Sequence, residues 1–236
     1  VTLGPVNGAG RVARIAAHPT EEGTLLAGSA SGGVWKTVDG GSSWYPTTDG
    51  LSDLAVGSVA YAPSDPEIAY LGTGEGDLLI AGGTGYIPGN GLLRSEDGGE
   101  SWILPAGPDD IMAELFFDLD VDPADPDVVL AASNRGLLRT DDGGATWELL
   151  LSATSTLRAV TDVERSRSNP DLLYAGLWCE GGCPAGTSRV MRSTDRGLTW
   201  LPTTSTGLPG LQGYVNRLAL AMAPGDDRRL YVGLNV

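Results

Sequence analysis

Four copies of one eight-residue pattern constrain how this chain can fold. The pattern is Ser or Thr, any residue, Asp, any residue, Gly, any residue, Ser or Thr, Trp. It reads Thr37-Val38-Asp39-Gly40-Gly41-Ser42-Ser43-Trp44, then Ser95-Glu96-Asp97-Gly98-Gly99-Glu100-Ser101-Trp102, then Thr140-Asp141-Asp142-Gly143-Gly144-Ala145-Thr146-Trp147, then Ser193-Thr194-Asp195-Arg196-Gly197-Leu198-Thr199-Trp200. The central Asp recurs after 58, 45 and 53 residues. Each copy carries the chemistry of a tight turn. The Asp carboxylate can accept backbone N–H groups inside the turn, and the Ser or Thr before it can pair with it. The Gly supplies a positive φ at little steric cost. The Trp opens the strand that follows and brings a large ring to bury against neighbouring strands. Asp39, Gly41 and Trp44, and their counterparts in the other three copies, are therefore expected to be structural.

The same context precedes every copy: a strand, a turn containing proline, and a second strand. It runs Val12 to Pro19 then Thr24 to Gly28, Val56 to Pro63 then Glu67 to Gly72, Phe116 to Pro123 then Asp127 to Ala132, and Ala159 to Pro170 then Asp171 to Gly176. A fifth unit begins at Tyr214, passes Pro224 and reaches Leu230-Tyr231-Val232-Gly233. Each unit thus offers four short strands, A to D, with the repeated pattern as the C–D turn. A unit of this size cannot bury both faces alone, and radial stacking buries them. The expected fold is all-β: a single β-propeller of four-stranded antiparallel blades over 1–236. The expected blades are about 6–50, 51–108, 109–155 and 156–205, with an incomplete fifth at 206–236.

Composition agrees with many short strands joined by tight turns. The chain has 35 glycines and 6% aromatic residues, and 41% of it is hydrophobic, enough for a sizeable core. No apolar run is long enough for a spanning helix, so membrane insertion is not expected. The formal net charge of -15 repels phosphate backbones, which argues against nucleic acid as a partner. The two cysteines, Cys179 and Cys183, lie close together, and His18, the sole histidine, is distant in sequence. A zinc site needs about four ligands. A small disulfide loop is the expectation, with two free thiols as the alternative, and a disulfide implies an oxidising compartment.

The four turns resemble the Asp-box, or BNR, repeat of sialidases, sortilin-type receptors and family 74 xyloglucanases. The stretch from Gly28 to Trp44 is most similar to the xyloglucanase-like branch. The resemblance implies that the boxes are structural and lie on the face away from an active site. It also implies a ring of six to eight blades, with further blades supplied by the same or another chain, and an extracellular or cell-surface location. Family 74 enzymes carry a catalytic Asp in a stretch similar to Ala-Arg-Thr-Asp-Val-Gly-Gly-Ala-Tyr-Arg. The matching stretch here is Ala27-Gly28-Ser29-Ala30-Ser31-Gly32-Gly33-Val34-Trp35-Lys36, so Ala30 stands where that Asp would be. A glycosidase of this type needs two carboxylates flanking the bond, and this departure argues against the reaction. The sialidase Arg-Ile-Pro motif is likewise broken, at Arg14-Ile15-Ala16.

Strand alternation sorts the connections onto two faces. The A–B and C–D turns share one, which holds the boxes and the acidic turns. The B–C and D–A loops share the other. Two of its B–C loops are long, about Thr73 to Asn90 and Leu177 to Ser188, and long loops often carry function. They bring Glu75, Asp77, Tyr86, Trp178 and Glu180, a mixture of aromatics and carboxylates suited to a sugar ring or a polypeptide. Asp118, Asp120 and Asp122 alternate along strand A of the third unit. Their spacing has something of a calcium loop, but the glycine and the twelfth-position Glu of such a loop are absent. No cofactor or metal is expected, with calcium as the lesser alternative. The function expected is a non-catalytic propeller module of a secreted or cell-surface protein, binding a glycan or a protein or serving assembly. The alternative is a glycoside hydrolase related to family 74 with a rearranged carboxylate pair, Glu75 with Asp118.

Overall fold

The computed structural model describes residues 11–52, 55–76, 87–105, 115–153, 157–179, 189–203, 217–223 and 226–235. Among these residues the regular elements are all β-strands, arranged as successive antiparallel meanders. Blade one holds β1 (Val12–Ala17), β2 (Leu25–Ser29), β3 (Gly33–Thr37) and β4 (Tyr45–Pro46). Blade two holds β5 (Val56–Tyr61), β6 (Ala69–Thr73) and β7 (Leu92–Ser95), and a bridge from Arg94 to Ile103 marks its fourth position. Blade three holds β8 (Phe116–Val121), β9 (Val129–Ser133), β10 (Gly136–Thr140) and β11 (Glu148–Ser152). Blade four holds β12 (Leu157–Arg165), β13 (Leu173–Cys179), β14 (Val190–Ser193) and β15 (Leu201–Pro202). Blade five is the pair β16 (Arg217–Ala223) and β17 (Asp226–Asn235). The first strands β1, β5, β8, β12 and β16 lie beside one another in succession.

The core sits between blades. Leu26 and Val34 of blade one meet Val56, Tyr61, Leu71 and Trp102 of blade two. Tyr70 and Leu92 of blade two meet Phe116, Val129 and Leu138 of blade three, with Trp147 packed against them. Leu130 and Leu137 of blade three meet Val160, Leu173 and Met191 of blade four, with Trp200 alongside. The Trp of the repeated turn therefore fills the seam with the preceding blade in blades two, three and four. Strands β4, β11 and β15 begin one residue after that Trp rather than at it. The indole N–H is held back in the turn in three blades, where Trp44, Trp147 and Trp200 donate to the carbonyls of Gly41, Gly144 and Gly197.

The repeated turn has the same wiring each time. In the first, Thr37 Oγ1 donates to Asp39 Oδ1 at 2.8 Å and accepts from the Gly41 N–H at 3.0 Å. Asp39 also accepts from the Ser43 N–H at 2.9 Å and from the Ser43 hydroxyl at 2.7 Å. The Ser43 N–H, then the Ser43 and Thr37 hydroxyls, hold the Asp39 carboxyl down at about 2. The turn glycine has two reasons to be glycine. At Gly99 φ is +88°, and a Cβ there would lie 2.9 Å from Leu26 of the preceding blade. Gly197 repeats this against Leu130, at 2.8 Å. Just outside the turn, a cation reaches forward to the next blade: Lys36 Nζ to Glu100 at 2.7 Å, Arg94 to Asp127 at 2.8 Å, and Arg139 to the Arg196 carbonyl at 2.8 Å. His18 is likewise local, its Nδ1 accepting the N–H groups of Thr20 and Glu21 in the A–B turn.

Candidate functional site

Each first strand of blades one to four carries a register shift just before one position, a β-bulge that turns the strand's side chains. The residues that follow the shift are Arg14, Ser58, Asp118 and Asp162, paired to Gly28, Gly72, Ala132 and Gly176 of the second strands. These four are equivalent positions of the repeat, yet they hold a base, a hydroxyl and two acids. They sit toward the end of the inner strands where the B–C and D–A loops meet.

Arg14 reaches past blade two to blade three. Its Nη2 donates to the Phe117 carbonyl at 2.6 Å, and its Nε lies 3.6 Å from Asp118 Oδ1. Close packing of the inner strands brings this about: a Cβ on Gly57 would fall 1.9 Å from the Phe116 carbonyl oxygen. Asp118 Oδ2 accepts the Val163 N–H of blade four at 3.2 Å. Asp162 Oδ2 repeats the contact one blade on, accepting the Leu220 N–H at 3.2 Å. The two carboxyls stand at one repeat position on adjacent inner strands, close enough for each to perturb the other. Burial raises both above the usual carboxylate range. For Asp118 the Arg14 charge opposes the rise. Asp162 is pushed up to about 8, by burial and then by the Asp118 charge.

The opposite end of the same strands sets one cation against two carboxylates. Arg165, with its side chain 6% exposed, lies 2.6 Å from Asp120 Oδ2 and 3.1 Å from Asp122 Oδ2. It also donates to the Pro170 carbonyl at 2.8 Å. Burial still lifts Asp120 to about 6 against the pull of Arg165. The cation facing this part of the alternating Asp run is thus an arginine of the next blade.

Of the residues predicted from sequence, Glu75, Asp118 and Trp178 come to the loop face. Glu75 follows β6, forms a bridge with Ile87 and is ion-paired to Arg11. Its side chain is only 2% exposed. Ala30 is buried beside the same segment, its N–H donating to the Arg11 carbonyl at 2.9 Å. Trp178, near the end of β13, is half-buried against Leu115, Phe117 and Ala159. Trp178 and Gly76, the residue after Glu75, both lie against Phe117: a Cβ on Gly76 would touch its ring at 2.7 Å. Cys179 is buried and disulfide-bonded. Asp77, Tyr86, Glu180 and Cys183 lie outside the described residues.

Sequence reasoning missed Arg11, Arg14, Phe117 and Asp162. In the sequence Arg14 stands out only within the broken sialidase motif. The usable signal was the repeat itself: aligning the first strands places Arg14, Ser58, Asp118 and Asp162 at one position, where unlike charges need an explanation.

No family model matches the sequence. An oligoxyloglucan-reducing end-specific xyloglucanase from Emericella nidulans is 36% identical over 74 residues, which is 29% of this chain and 9% of that enzyme. The GH74 xyloglucanase structure from Xanthomonas campestris aligns with 99% of this chain and 34% of its own length, at TM-score 0.67 and 25% identity. YCF48 bound to a D1 peptide aligns with 99% of this chain and 63% of its own length, at TM-score 0.58 and 16% identity. The chain therefore spans about a third or less of the xyloglucanases it resembles. Stacked antiparallel blades and these neighbours define the class: the protein is a β-propeller. Within that class its structure is similar to those of GH74 xyloglucanases.

Proposed function

We propose that this propeller is a non-catalytic glycan-binding module of an extracellular protein, and that its contact surface is the B–C and D–A loop face around Trp178. One observation carries the reading. Among the described residues, the carboxylates predicted for a hydrolase on this face are already engaged: Glu75 with Arg11, and Asp118 with Arg14 and Val163. Ala30 occupies the position of the family's catalytic Asp. Trp178, by contrast, keeps part of its ring accessible on an apolar base, and such a ring can stack on a sugar. Similarity to xyloglucanases supports a β-glucan type of ligand, and the Cys179 disulfide supports an oxidising compartment.

The same similarity favours a second reading, a glycoside hydrolase using Asp118 with another carboxylate. Xyloglucan oligosaccharides separate the two. The first reading expects calorimetric binding with no release of reducing ends over prolonged incubation. Release that disappears in Asp118→Asn would establish the second. Binding of peptides but of no glycan would redirect the first reading toward a protein ligand, as the peptide-bound YCF48 neighbour would suggest.

A further inference from the structure

The carboxyl pair at the inner strands is wired differently from every other acid described. Asp118 and Asp162 are buried neighbours at one repeat position of adjacent inner strands, and two carboxyls can share a hydrogen bond only if one of them carries a proton. Each also accepts a backbone N–H from the next inner strand: Val163 on β12 for Asp118, and Leu220 on β16 for Asp162. A proton shared by the two carboxyls would stand at the junction of three blades. Neighbouring contacts reinforce the seam. Thr161 exchanges hydrogen bonds with the backbone of Leu218, and Glu164 accepts the Met222 N–H at 3.1 Å.

We propose that Asp118 and Asp162 form a proton-held latch that joins the inner strands of blades three, four and five and loosens when the shared proton is lost. The charged groups around the pair fix which way it works. From β1 comes Arg14, 3.6 Å from Asp118. From β8 and its end come Asp120 and Asp122, which share Arg165 of β12. Glu164 of β12 adds a further negative charge, itself raised by burial and drawn down by the Met222 N–H and by Arg167. Arg14 is therefore the cation left to balance two carboxylates once the proton leaves. Two ionised acids in contact repel, and the N–H bonds to Val163 and Leu220 are strained with them.

The sign follows from the raised affinity for the proton. The pair's contribution to stability is complete below about pH 4, the range of an unfolded Asp, and is lost as pH rises toward about 8. Asp120 acts in the same direction up to about 6, so the interval from pH 6 to 8 isolates the latch. Over that interval the unfolding equilibrium constant, measured by urea denaturation, is expected to rise up to about tenfold per pH unit, one proton being released on unfolding. In Asp162→Asn this rise is expected to vanish, because an amide can donate permanently to Asp118 and still accept from Leu220. The amides of Val163 and Leu220 should exchange with solvent faster than their intrinsic rates alone require as pH passes 8, in the wild type only. If Asp162→Asn folds poorly, Arg14→Gln serves instead: removing the cation should extend the rise to higher pH than in the wild type, where it levels off at about 8. A wild type with no rise between pH 6 and 8 would overturn the latch. So would an undiminished rise in Asp162→Asn, or a rise in Arg14→Gln that levels off at the same pH as in the wild type.

Discussion

On the turn face, Asp39, Asp97, Asp142 and Asp195 each bond the hydroxyl two residues before and the N–H and hydroxyl four residues after. On the loop face, one equivalent position holds Arg14, Ser58, Asp118 and Asp162 in turn. The strands are shared, so the difference cannot come from the fold alone. Repetition on the turn face reflects a requirement that every blade has: a C–D turn whose glycine fits against the preceding blade. Divergence on the loop face reflects freedom from that requirement. Where the repeat sets no common residue, each residue present answers to its own neighbours, as Arg14 does to blade three, Asp118 to blade four and Asp162 to blade five.

The comparison can be tested by breaking each end separately. The largest effect is expected at the turn end of the inner strands. Arg165→Met would leave Asp120 and Asp122 buried without their cation, and should cost about 3–5 kcal/mol in urea denaturation at pH 7. A loss below about 1 kcal/mol would mean that the triad is not a structural anchor. Next comes the packing that lets Arg14 cross to blade three. Gly57→Ala places a methyl against the Phe116 carbonyl and should cost about 1–3 kcal/mol, with a change in near-ultraviolet circular dichroism. Trp178→Leu keeps an apolar plug on Phe117 while removing the ring face. It should weaken oligosaccharide binding about tenfold or more and move the urea midpoint little. The smallest effect concerns acid. The Asp39 carboxyl is held low by Ser43 and Thr37, so its turn is intact above about pH 4 and is expected to open as pH falls through about 2. Amide exchange at Ser43 between pH 5 and 2 reads this directly.

Much of the fold was legible in the sequence because each blade repeats its chemistry. The boxes marked the C–D turns, and the strand, proline, strand context marked A and B. The one residue offset at the Trp arises because its indole bonds back into the turn, delaying the start of strand D. Glycines in the second strands were a further readable signal. A Cβ on Gly28 or Gly72 would collide with Val56 or Phe116 of the next blade, so the glycine reports a blade seam. The site was less legible. Glu75 and Trp178 could be singled out because they lie on long loops. Arg14 and Asp162 lie within strands, where side-chain partners come from other blades at distances in sequence of 103 and 58 residues. Such partners become visible only when the blades are superposed.

The central claim is that the loop face binds and the turn face supports. Calorimetric titration of a xyloglucan oligosaccharide into wild type, Trp178→Leu and Gly99→Ala, each held well below its melting temperature, tests it most directly. Wild type and Gly99→Ala are predicted to bind alike, although Gly99→Ala melts lower, while Trp178→Leu binds at least about tenfold more weakly. Equal affinity in wild type and Trp178→Leu, or a matching loss in Gly99→Ala, would contradict the assignment of function to the loop face.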